Sequence, residues 1–369
     1  MKVLILSCAT GQGHNSAAAA VAEALERRKA EYLRADPLDL RSDKAARRAA
    51  GLYSGIMKRA PAVFGAIYRV GGWYSATRII SPIYLYNATY ARRLADYLYE
   101  NRIDAVVCTH LYGMESMTAV RKRCGLHVPC YGVLTDYTCI PFYREAKLDA
   151  YLIPHEALRA EMCRNGIPNA RITATGIPVS ARFSRELSKE EARDALGLPK
   201  EQPMILLMSG GVGCGSLSEL CGELLKQTDE CCLCVLTGRN ESLQLELEAI
   251  YSGNTRVRIL PFTDRAWQYM KAADAVISKP GGLSSTEAAV ARVPLVHLLA
   301  YSGCETENAR FFSTLGASVH VKSVAEAAQA AWRMVREPAF ADAVRQRQRE
   351  NFPLDAADRI AALVAGGVR

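Results

Sequence analysis

Ten short runs of consecutive apolar residues recur along the 369-residue chain, separated by stretches with helical periodicity. Strands that are apolar on successive positions are buried on both faces, as in a parallel sheet covered by helices. The pattern therefore predicts an α/β protein. The runs are residues 2–8, 105–109, 130–135, 150–154 and 172–176 in the first half, and 204–209, 231–237, 257–261, 275–279 and 294–299 in the second.

The runs form two series, and each series begins with a strand followed by a glycine-rich turn. This arrangement predicts two Rossmann-like domains in tandem, which we place at residues 1–180 and 204–337. Residues 181–203 are polar and bounded by prolines, and we predict a linker there, with a short helix opened by a capping box of Ser188 and Glu191. Residues 338–369 have helical periodicity and are expected to pack back on the domains.

Several features bear on location and metal content. The longest apolar stretches, such as residues 293–301, are much shorter than the roughly 20 residues of a membrane-spanning helix. The N-terminal sequence reads as a strand and a turn without a cleavable signal pattern, so we expect a cytosolic protein. In a cytosolic protein, the twelve cysteines of this chain are expected to be mainly small buried hydrophobic residues. The CxxC at 231–234 reads as a buried strand, with metal binding as the minor alternative, and no Asp-x-Asp triplet for a divalent ion occurs.

The net charge of +8 is concentrated in one window. Between Arg41 and Arg93 the chain carries ten Lys or Arg, eight aromatic residues and a single acid, Asp43. Cations mixed with aromatic rings suit an anionic lipid surface, where the rings lie at headgroup depth. They would also suit nucleic acid. A solvated face with some core aromatics is the third interpretation.

The first glycine turn, Gly11-x-Gly13-His14, directly follows the first strand. A dinucleotide fingerprint needs a third glycine, and Ser16 stands at that position, so the fingerprint fails. The turn leads into a helix beginning near Asn15, and a helix N-terminus favours negative charge. His14 could therefore act as a general base near neutral pH, and a purely structural role for it is equally open.

The second half has two turns suited to an anion. Residues 209–215 include four glycines, which let backbone amides approach a phosphate closely, but they lack the Lys-Ser/Thr of a P-loop. At 279–282 a strand ends at Lys279, Pro280-Gly281-Gly282 makes the turn, and Ser284 or Ser285 opens a helix. The positive end of that helix would favour a diphosphate.

Three polar residues follow these turns. Glu287 lies one turn into the helix, within reach of ribose hydroxyls. Glu305 and Asn308 stand at the mouth of the next strand, where ligands of open α/β sheets bind, and their side chains suit the hydroxyls of a sugar. For Glu305 and Glu307, a solvated acid at the start of a helix is the alternative.

In their chain order these motifs resemble the monogalactosyldiacylglycerol synthase and processive diacylglycerol glucosyltransferase branch of glycosyltransferase family 28. The resemblance covers nearly the whole chain and implies a GT-B fold, with two Rossmann-like parallel-sheet domains facing each other across a cleft. It also implies inverting, metal-independent transfer. The matching motifs are Gly-x-Gly-His, Thr135-Asp136-Tyr137, Gly176-Ile177-Pro178-Val179, the loop at 210–215, Lys279-Pro280-Gly281-Gly282 with Glu287, and Glu305 with Asn308-x-x-Phe311.

The resemblance also implies roles for individual residues. His14 would take the proton of the acceptor hydroxyl, and Asp136 would orient or assist it. The N-terminal domain would hold a lipid acceptor, with residues 41–93 facing the membrane, and the C-terminal domain would hold a UDP-sugar. The predicted donor site consists of Gly211, Gly213 and Gly282 for the diphosphate, Phe262 near the uracil, Glu287 for the ribose, and Lys279, Gly281, Ser284, Glu305 and Asn308.

The chain departs from the family pattern at two positions. Cys304 stands where the family usually has a Gln that is expected to contact the sugar, so the sugar is open. Ile140 stands where the plant and glucosyl branches have a histidine, so the acceptor contacts of that histidine do not carry over.

These observations predict an enzyme without a cofactor or metal that transfers a hexose from a UDP-sugar to a lipid hydroxyl, with diacylglycerol favoured. We expect it in the cytoplasm, peripherally bound to the inner face of the cell membrane, with no nucleic-acid partner. Three alternatives stay open: a UDP-N-acetylglucosamine 2-epimerase, a glycosyltransferase acting on a lipid-linked cell-wall precursor, and a non-catalytic module that binds nucleic acid or lipid through the basic window.

Overall fold

The structure is a computed structural model that describes residues 1–8, 12–39, 80–208, 217–228, 230–298 and 303–366. The chain divides into two compact units. The first comprises residues 1–180 together with 301–304 and 355–369, and the second comprises residues 181–300 and 305–354. Each unit is built on one six-stranded sheet in which every described strand pair is parallel.

The strands of the first unit lie in the order β2-β1-β3-β4-β5-β6 and those of the second in the order β12-β11-β10-β7-β8-β9. Their bounds are β1 Lys2–Leu6, β2 Glu31–Ala35, β3 Ala105–Cys108, β4 Cys130–Val133, β5 Ala150–Ile153, β6 Ile172–Ala174, β7 Met204–Met208, β8 Cys232–Gly238, β9 Val257–Pro261, β10 Ala275–Ser278, β11 Leu295–Leu298 and β12 Val319–Val321.

Helices connect the strands. Within the described residues they are α1 Gln12–Arg27, α2 Pro82–Asn87, α3 Ala91–Glu100, α4 Leu111–Cys124, α5 Arg159–Arg164, α6 Ala181–Ser184, α7 Lys189–Leu196, α8 Leu217–Gln227, α9 Glu241–Ile250, α10 Ala266–Ala272, α11 Gly282–Ala291, α12 Cys304–Thr314, α13 Val324–Arg336, α14 Pro338–Asn351 and α15 Ala356–Gly366. Short 3₁₀ helices cover Ala88–Tyr90, Tyr143–Glu145, Glu156–Leu158 and Asn169–Arg171.

The ten strands predicted from apolar runs are confirmed, and most of the runs are buried, whereas β6 and β9 at the sheet ends are largely part-buried. The β1 residues from Val3 to Leu6, for example, are fully buried. The Cys231–Cys234 stretch is likewise a buried strand, β8 with its preceding residue. Two strands were missed, β2 and β12. Both lie at the end of a sheet and are largely only part-buried, so their sequences carry no continuous apolar signal.

Each sheet has one point at which the chain changes the direction in which it adds strands. In the first unit β2 lies on one side of β1 and β3 on the other, and in the second unit β8 and β10 flank β7 in the same way. Open α/β sheets bind ligands at such a point, beyond the carboxyl ends of the strands. Among the described residues, the turns there include β3–α4 and the start of α1 in the first unit and β10–α11 in the second.

The predicted linker, residues 181–203, belongs to the second unit instead of standing apart from both. Its helix α7 begins with the predicted capping box of Ser188 and Glu191. Arg193 on this helix is buried and donates hydrogen bonds to the Ala272 carbonyl (3.0 Å) and to Asp274 (2.8 Å). This buried cation attaches the segment to the amino ends of β7 and β10, where Asp274 also accepts the Met204 N–H.

The C-terminal segment, expected as one piece over 338–369, is shared between the units. Helix α14 belongs to the second unit, where the buried side chain of Gln348 donates to the Val293 carbonyl at 2.8 Å. Helix α15 belongs to the first unit and packs its Ile360, Ala361 and Val364 into the core beside α1. Among the described residues, no helix is long and apolar enough to cross a bilayer.

Candidate active site

His14 lies in the first turn of α1, at the change point of the first sheet. Its Nδ1 is 2.9 Å from the carbonyl oxygen of Thr109 and 3.1 Å from the hydroxyl of Thr135. A carbonyl oxygen can only accept, so the proton of the neutral ring is on Nδ1 and the lone pair is on Nε2. The Thr109 hydroxyl returns a bond to the His14 carbonyl at 3.1 Å. This arrangement leaves Nε2 as the basic atom of the ring.

Burial favours the neutral form of His14, while neighbouring groups favour its protonation. Burial lowers the pKa of His14 below its ordinary value, while the charge of Asp136 and the bond to Thr109 act in the opposite direction. Asp136, which follows β4, therefore lies close enough to stabilise an imidazolium on His14. The structure thus brings the predicted pair His14 and Asp136 together.

The sequence reading missed His110, which directly follows Thr109. Its ring lies edge-to-face with the His14 ring, with the centroids 4.6 Å apart and an interplanar angle of 86°. Its Nδ1 accepts the backbone N–H of Tyr112 at 3.2 Å and so caps α4. Burial, with a smaller contribution from His14, holds the pKa of His110 well below its ordinary value. The sequence signal that could have identified His110 was its position, in the turn between a buried strand and the following helix.

In the second unit, the turn from β10 to α11 presents an uncapped helix end. Gly281 occupies the N-cap position, and no side chain caps the helix within the described chain. A Cβ at Gly281 would lie 3.1 Å from the Ser284 hydroxyl, so a larger residue would crowd the turn. Asn308 is fully buried, and its Nδ2 donates to the Pro280 carbonyl at 3.1 Å. Asn308 therefore positions the turn, and the amides of Gly282 to Ser284 can face an anion.

Lys279 and Glu305 form an ion pair beside this turn. The ammonium lies 2.5 Å from Oε1 of Glu305, and the two side chains are 27% and 17% exposed. Oε2 of Glu305 is buried and has no hydrogen-bond partner among the described residues. Glu305 is thus not a solvated acid, whereas Glu307 is 38% exposed and pairs with Arg310 on the helix surface.

Glu287 lies one turn into α11, as predicted. Burial raises its pKa to about 8, and among the described residues no hydrogen bond or ion pair to its carboxyl is found. The residue is part-buried, and a carboxyl with reduced access to water and without a donor is unfavourable, so ligand hydroxyls would supply the missing donors.

Phe262 follows β9 at the carboxyl edge of the second sheet. Its ring is 56% exposed, and the Arg239 guanidinium lies 4.9 Å from the ring centroid. Gly211 and Gly213, by contrast, lie outside the described residues, as does the 41–79 part of the basic window.

The two open parallel sheets, each with a ligand-type turn at its change point, define a protein of the GT-B fold class. Residues 14–179 match the family model described as monogalactosyldiacylglycerol (MGDG) synthase, and residues 204–330 match the glycosyltransferase family 28 C-terminal domain. The two matches together cover most of the chain, which belongs to glycosyltransferase family 28.

Curated relatives are similar to the chain in sequence, and solved structures are similar to it in fold. The chain is 27% identical over 237 residues to the processive diacylglycerol beta-glucosyltransferases of Bacillus cytotoxicus and Bacillus mycoides, a match that covers 64% of this chain and 60% of each relative. Its fold is similar to that of MurG from Acinetobacter baumannii (TM-score 0.65, 16% identity, 99% of both chains). It is equally similar to UDP-GlcNAc 2-epimerase from Neisseria meningitidis bound to UDP-GlcNAc (TM-score 0.65, 14% identity, 100% of both chains). Those two likenesses concern the fold alone.

Proposed function

We propose that this protein transfers a hexose from a UDP-sugar to the hydroxyl of diacylglycerol, with inversion and without a metal, at the cytoplasmic face of the cell membrane. The observation that carries the proposal is the bond from His14 Nδ1 to the Thr109 carbonyl, which makes Nε2 the basic nitrogen. The family assignment and the names of the Bacillus relatives supply the substrate class. The absence of an Asp-x-Asp triplet supports metal independence, and turnover is expected to persist in EDTA.

The proposed reaction is a single in-line displacement. The acceptor oxygen forms a bond to the anomeric carbon while the bond from that carbon to the UDP oxygen breaks. The hydroxyl proton passes to Nε2 of His14, and UDP leaves with the bonding electron pair. An alcohol is a weak nucleophile at neutral pH, so it needs such a base, and the Asp136 charge stabilises the imidazolium that forms.

We assign the donor to the second unit. The amide dipoles at the start of α11 would stabilise the charge developing on the diphosphate, together with Gly211 and Gly213, and Lys279 would add a cation. The Glu287 carboxyl would accept the ribose hydroxyls, and the uracil would lie near Phe262. Oε2 of Glu305 has an open acceptor position suited to a sugar hydroxyl.

The first unit also carries a surface suited to an anionic bilayer, here called the α2–α4 patch: Ile80, Leu85, Lys122, Arg144, Lys147 and Arg171. Ile80 and Leu85 are each 52% exposed. Four cations of the patch lie near one another, because burial together with Lys122, Arg171 and Arg144 lowers the pKa of Lys147. The Lys122 ammonium lies 5.3 Å from the ring centroid of Tyr84 on α2. The patch therefore adjoins residues 80–93, the part of the basic window that the structure describes. Exposed apolar side chains and a group of cations on the same unit support binding to anionic headgroups.

The base assignment predicts that His14→Ala lowers kcat by about 10²–10⁴ while UDP affinity measured by calorimetry is retained. The assay offers radiolabelled UDP-glucose, UDP-galactose or UDP-N-acetylglucosamine to diacylglycerol and, separately, to a lipid-linked cell-wall precursor, with products separated by thin-layer chromatography. His127→Ala, an exposed histidine of the same unit, is the control. Turnover of His14→Ala within about tenfold of the unchanged protein would exclude His14 as the base. A UDP-sugar recovered as its C2 epimer would favour the epimerase alternative.

The membrane assignment predicts that reversing Lys122 and Lys147 to Glu lowers binding to phosphatidylglycerol vesicles by about tenfold or more, because each basic residue near the surface is worth about 1 kcal/mol. The measurement is co-sedimentation at low and high salt, with phosphatidylcholine vesicles as the neutral reference. The matched control is Arg28→Glu with Lys29→Glu, at the opposite end of the same sheet. Equal binding of both double variants would contradict the role of the α2–α4 patch.

A further inference from the structure

The structure places a second histidine, His110, against the proposed base. The two rings meet edge to face at a centroid distance of 4.6 Å, and His110 belongs to the same turn as Thr109, whose carbonyl fixes the proton of His14. The β3–α4 turn therefore contacts His14 twice, once through a backbone oxygen and once through an aromatic ring.

The His110 ring is itself held firmly. Its Nδ1 accepts the Tyr112 N–H at 3.2 Å as the N-cap of α4. The Tyr112 ring also packs edge to face with it, with centroids 4.6 Å apart and an angle of 84°. The three rings of His14, His110 and Tyr112 thus form one continuous stack of edge contacts.

The cap also restricts the charge of His110. A nitrogen that accepts a hydrogen bond has to keep its lone pair, so protonating Nδ1 would break the cap of α4. The proton of the neutral ring is therefore on Nε2. A ring that stays uncharged next to His14 leaves that residue as the proton acceptor of the pair, since two adjacent imidazolium ions would repel each other.

We propose that His110 is a positioning residue: its neutral ring, fixed by the cap and by Tyr112, limits His14 to the orientation in which Nδ1 bonds to Thr109 and Nε2 is the base. The proposal rests on the function proposed above for His14. Among the described residues, the groups that interact with His14 include His110 and Thr109 from the β3–α4 turn and Thr135 and Asp136 from the segment after β4. His110 is the bulky aromatic neighbour among them, so its removal gives the His14 ring room to rotate.

Two substitutions separate positioning from capping. His110→Asn keeps a side-chain acceptor for the Tyr112 N–H and loses the ring, whereas His110→Phe keeps a neutral ring and loses the acceptor. We expect kcat of the Asn variant to fall about tenfold or more with the donor KM unchanged, because a misplaced base slows the chemical step and not binding. We expect the Phe variant to keep most of its kcat and to melt a few degrees lower.

The chain offers a matched control in His155, which caps a 3₁₀ helix of the same unit in the same way, with Nδ1 accepting the Ala157 N–H at 3.1 Å. His155→Asn should leave kcat unchanged. If His110→Asn turns over like the unchanged protein while His110→Phe loses activity, then His110 only caps α4 and the proposal is overturned.

A second readout does not depend on transfer activity. The chain has six histidines, so ¹⁵N side-chain spectra can be assigned by single substitutions. We expect His14 to show the Nδ1–H tautomer in the unchanged protein and in His110→Phe, and a mixture of tautomers in His110→Asn. An unchanged His14 signal in His110→Asn overturns the proposal even if activity falls. A protein without any transfer activity that still shows the expected spectra would refute the proposed function and retain the positioning role.

Discussion

His14 and Glu287 are both ionisable residues withdrawn from water, and the protein holds them in opposite ways. His14 has a carbonyl and a hydroxyl on Nδ1 and a carboxylate nearby, so its proton position is determined before any substrate arrives. Among the described residues no group bonds to the Glu287 carboxyl, and burial raises its pKa to about 8. The first arrangement is typical of a prepared base, and the second of a group whose partners come with a ligand.

Glu287 provides a prediction in which stability and binding change in opposite directions. The folded-state pKa of about 8 exceeds the ordinary value of 4.5, so the native protein retains a proton that the unfolded chain releases between these pH values. The stability contributed by protonated Glu287 is thus fully present below pH 4.5 and is lost as the pH rises through about 8. Glu287→Gln removes this loss, so urea denaturation at pH 8 should show a more stable protein, by about 1 kcal/mol or more.

The same variant should bind UDP about tenfold or more weakly, because an amide replaces the acceptor of two ribose hydroxyls. The control is Glu307→Gln, which removes an exposed carboxyl on α12. Unchanged UDP affinity in Glu287→Gln would contradict the ribose assignment, and a stability difference that does not grow between pH 5 and 8 would contradict the raised pKa.

At the scale of elements, both candidate sites are built where a parallel strand ends and a helix begins at the change point of a sheet. In the first unit the β1–α1 and β3–α4 turns are neighbours because β1 and β3 pair directly. In the second unit the β10–α11 turn is supported from the side by α12, which supplies both Asn308 and Glu305. The turn to which we assign the diphosphate is therefore held by side chains from another helix.

This support predicts that Asn308→Ala weakens UDP binding indirectly, through the turn to which the Asn308 side chain is hydrogen-bonded. The substitution leaves the Pro280 carbonyl without its side-chain donor, which should cost about 1–3 kcal/mol of stability and let the start of α11 move. We expect UDP affinity to fall several-fold by calorimetry. Asn351→Ala, which removes a surface bond to the Arg347 carbonyl, serves as the control. An Asn308→Ala protein that is less stable but binds UDP normally would show that the turn holds its shape without this bond.

At the scale of the whole molecule, each unit combines segments that are distant in the chain, so the units are not simply its first and second halves. The last helix, α15, belongs to the first unit and contributes Ile360, Ala361 and Val364 to the core around α1, β1 and β3. Arg27 of α1 also pairs with Asp358 of α15 at 2.9 Å. The first 180 residues therefore do not contain the complete core of their own unit.

Ile360→Ala should consequently destabilise the first unit, by about 2–5 kcal/mol for a fully buried Ile. Hydrogen exchange followed by mass spectrometry should show faster exchange in α1 and β1 and unchanged exchange in β7 and β8. Met334→Ala, a buried residue of the second core, should give the reverse pattern. Faster exchange of both sheets in either variant would mean that the two units unfold as one.

The sequence by itself determined the α/β class, ten of the twelve described strands, the capping box of α7 and the family, because continuous apolar runs and glycine turns are local signals. The edge strands β2 and β12, the allocation of residues 181–203 and the division of the C-terminal helices depended on packing between distant segments. The surroundings of His14 did so as well: Thr109 and Thr135 are 95 and 121 residues away in the chain, and only the pairing of parallel strands brings their ends together. The candidate site residues could therefore be predicted from the sequence, whereas the tertiary structure decided their protonation and their hydrogen-bond partners.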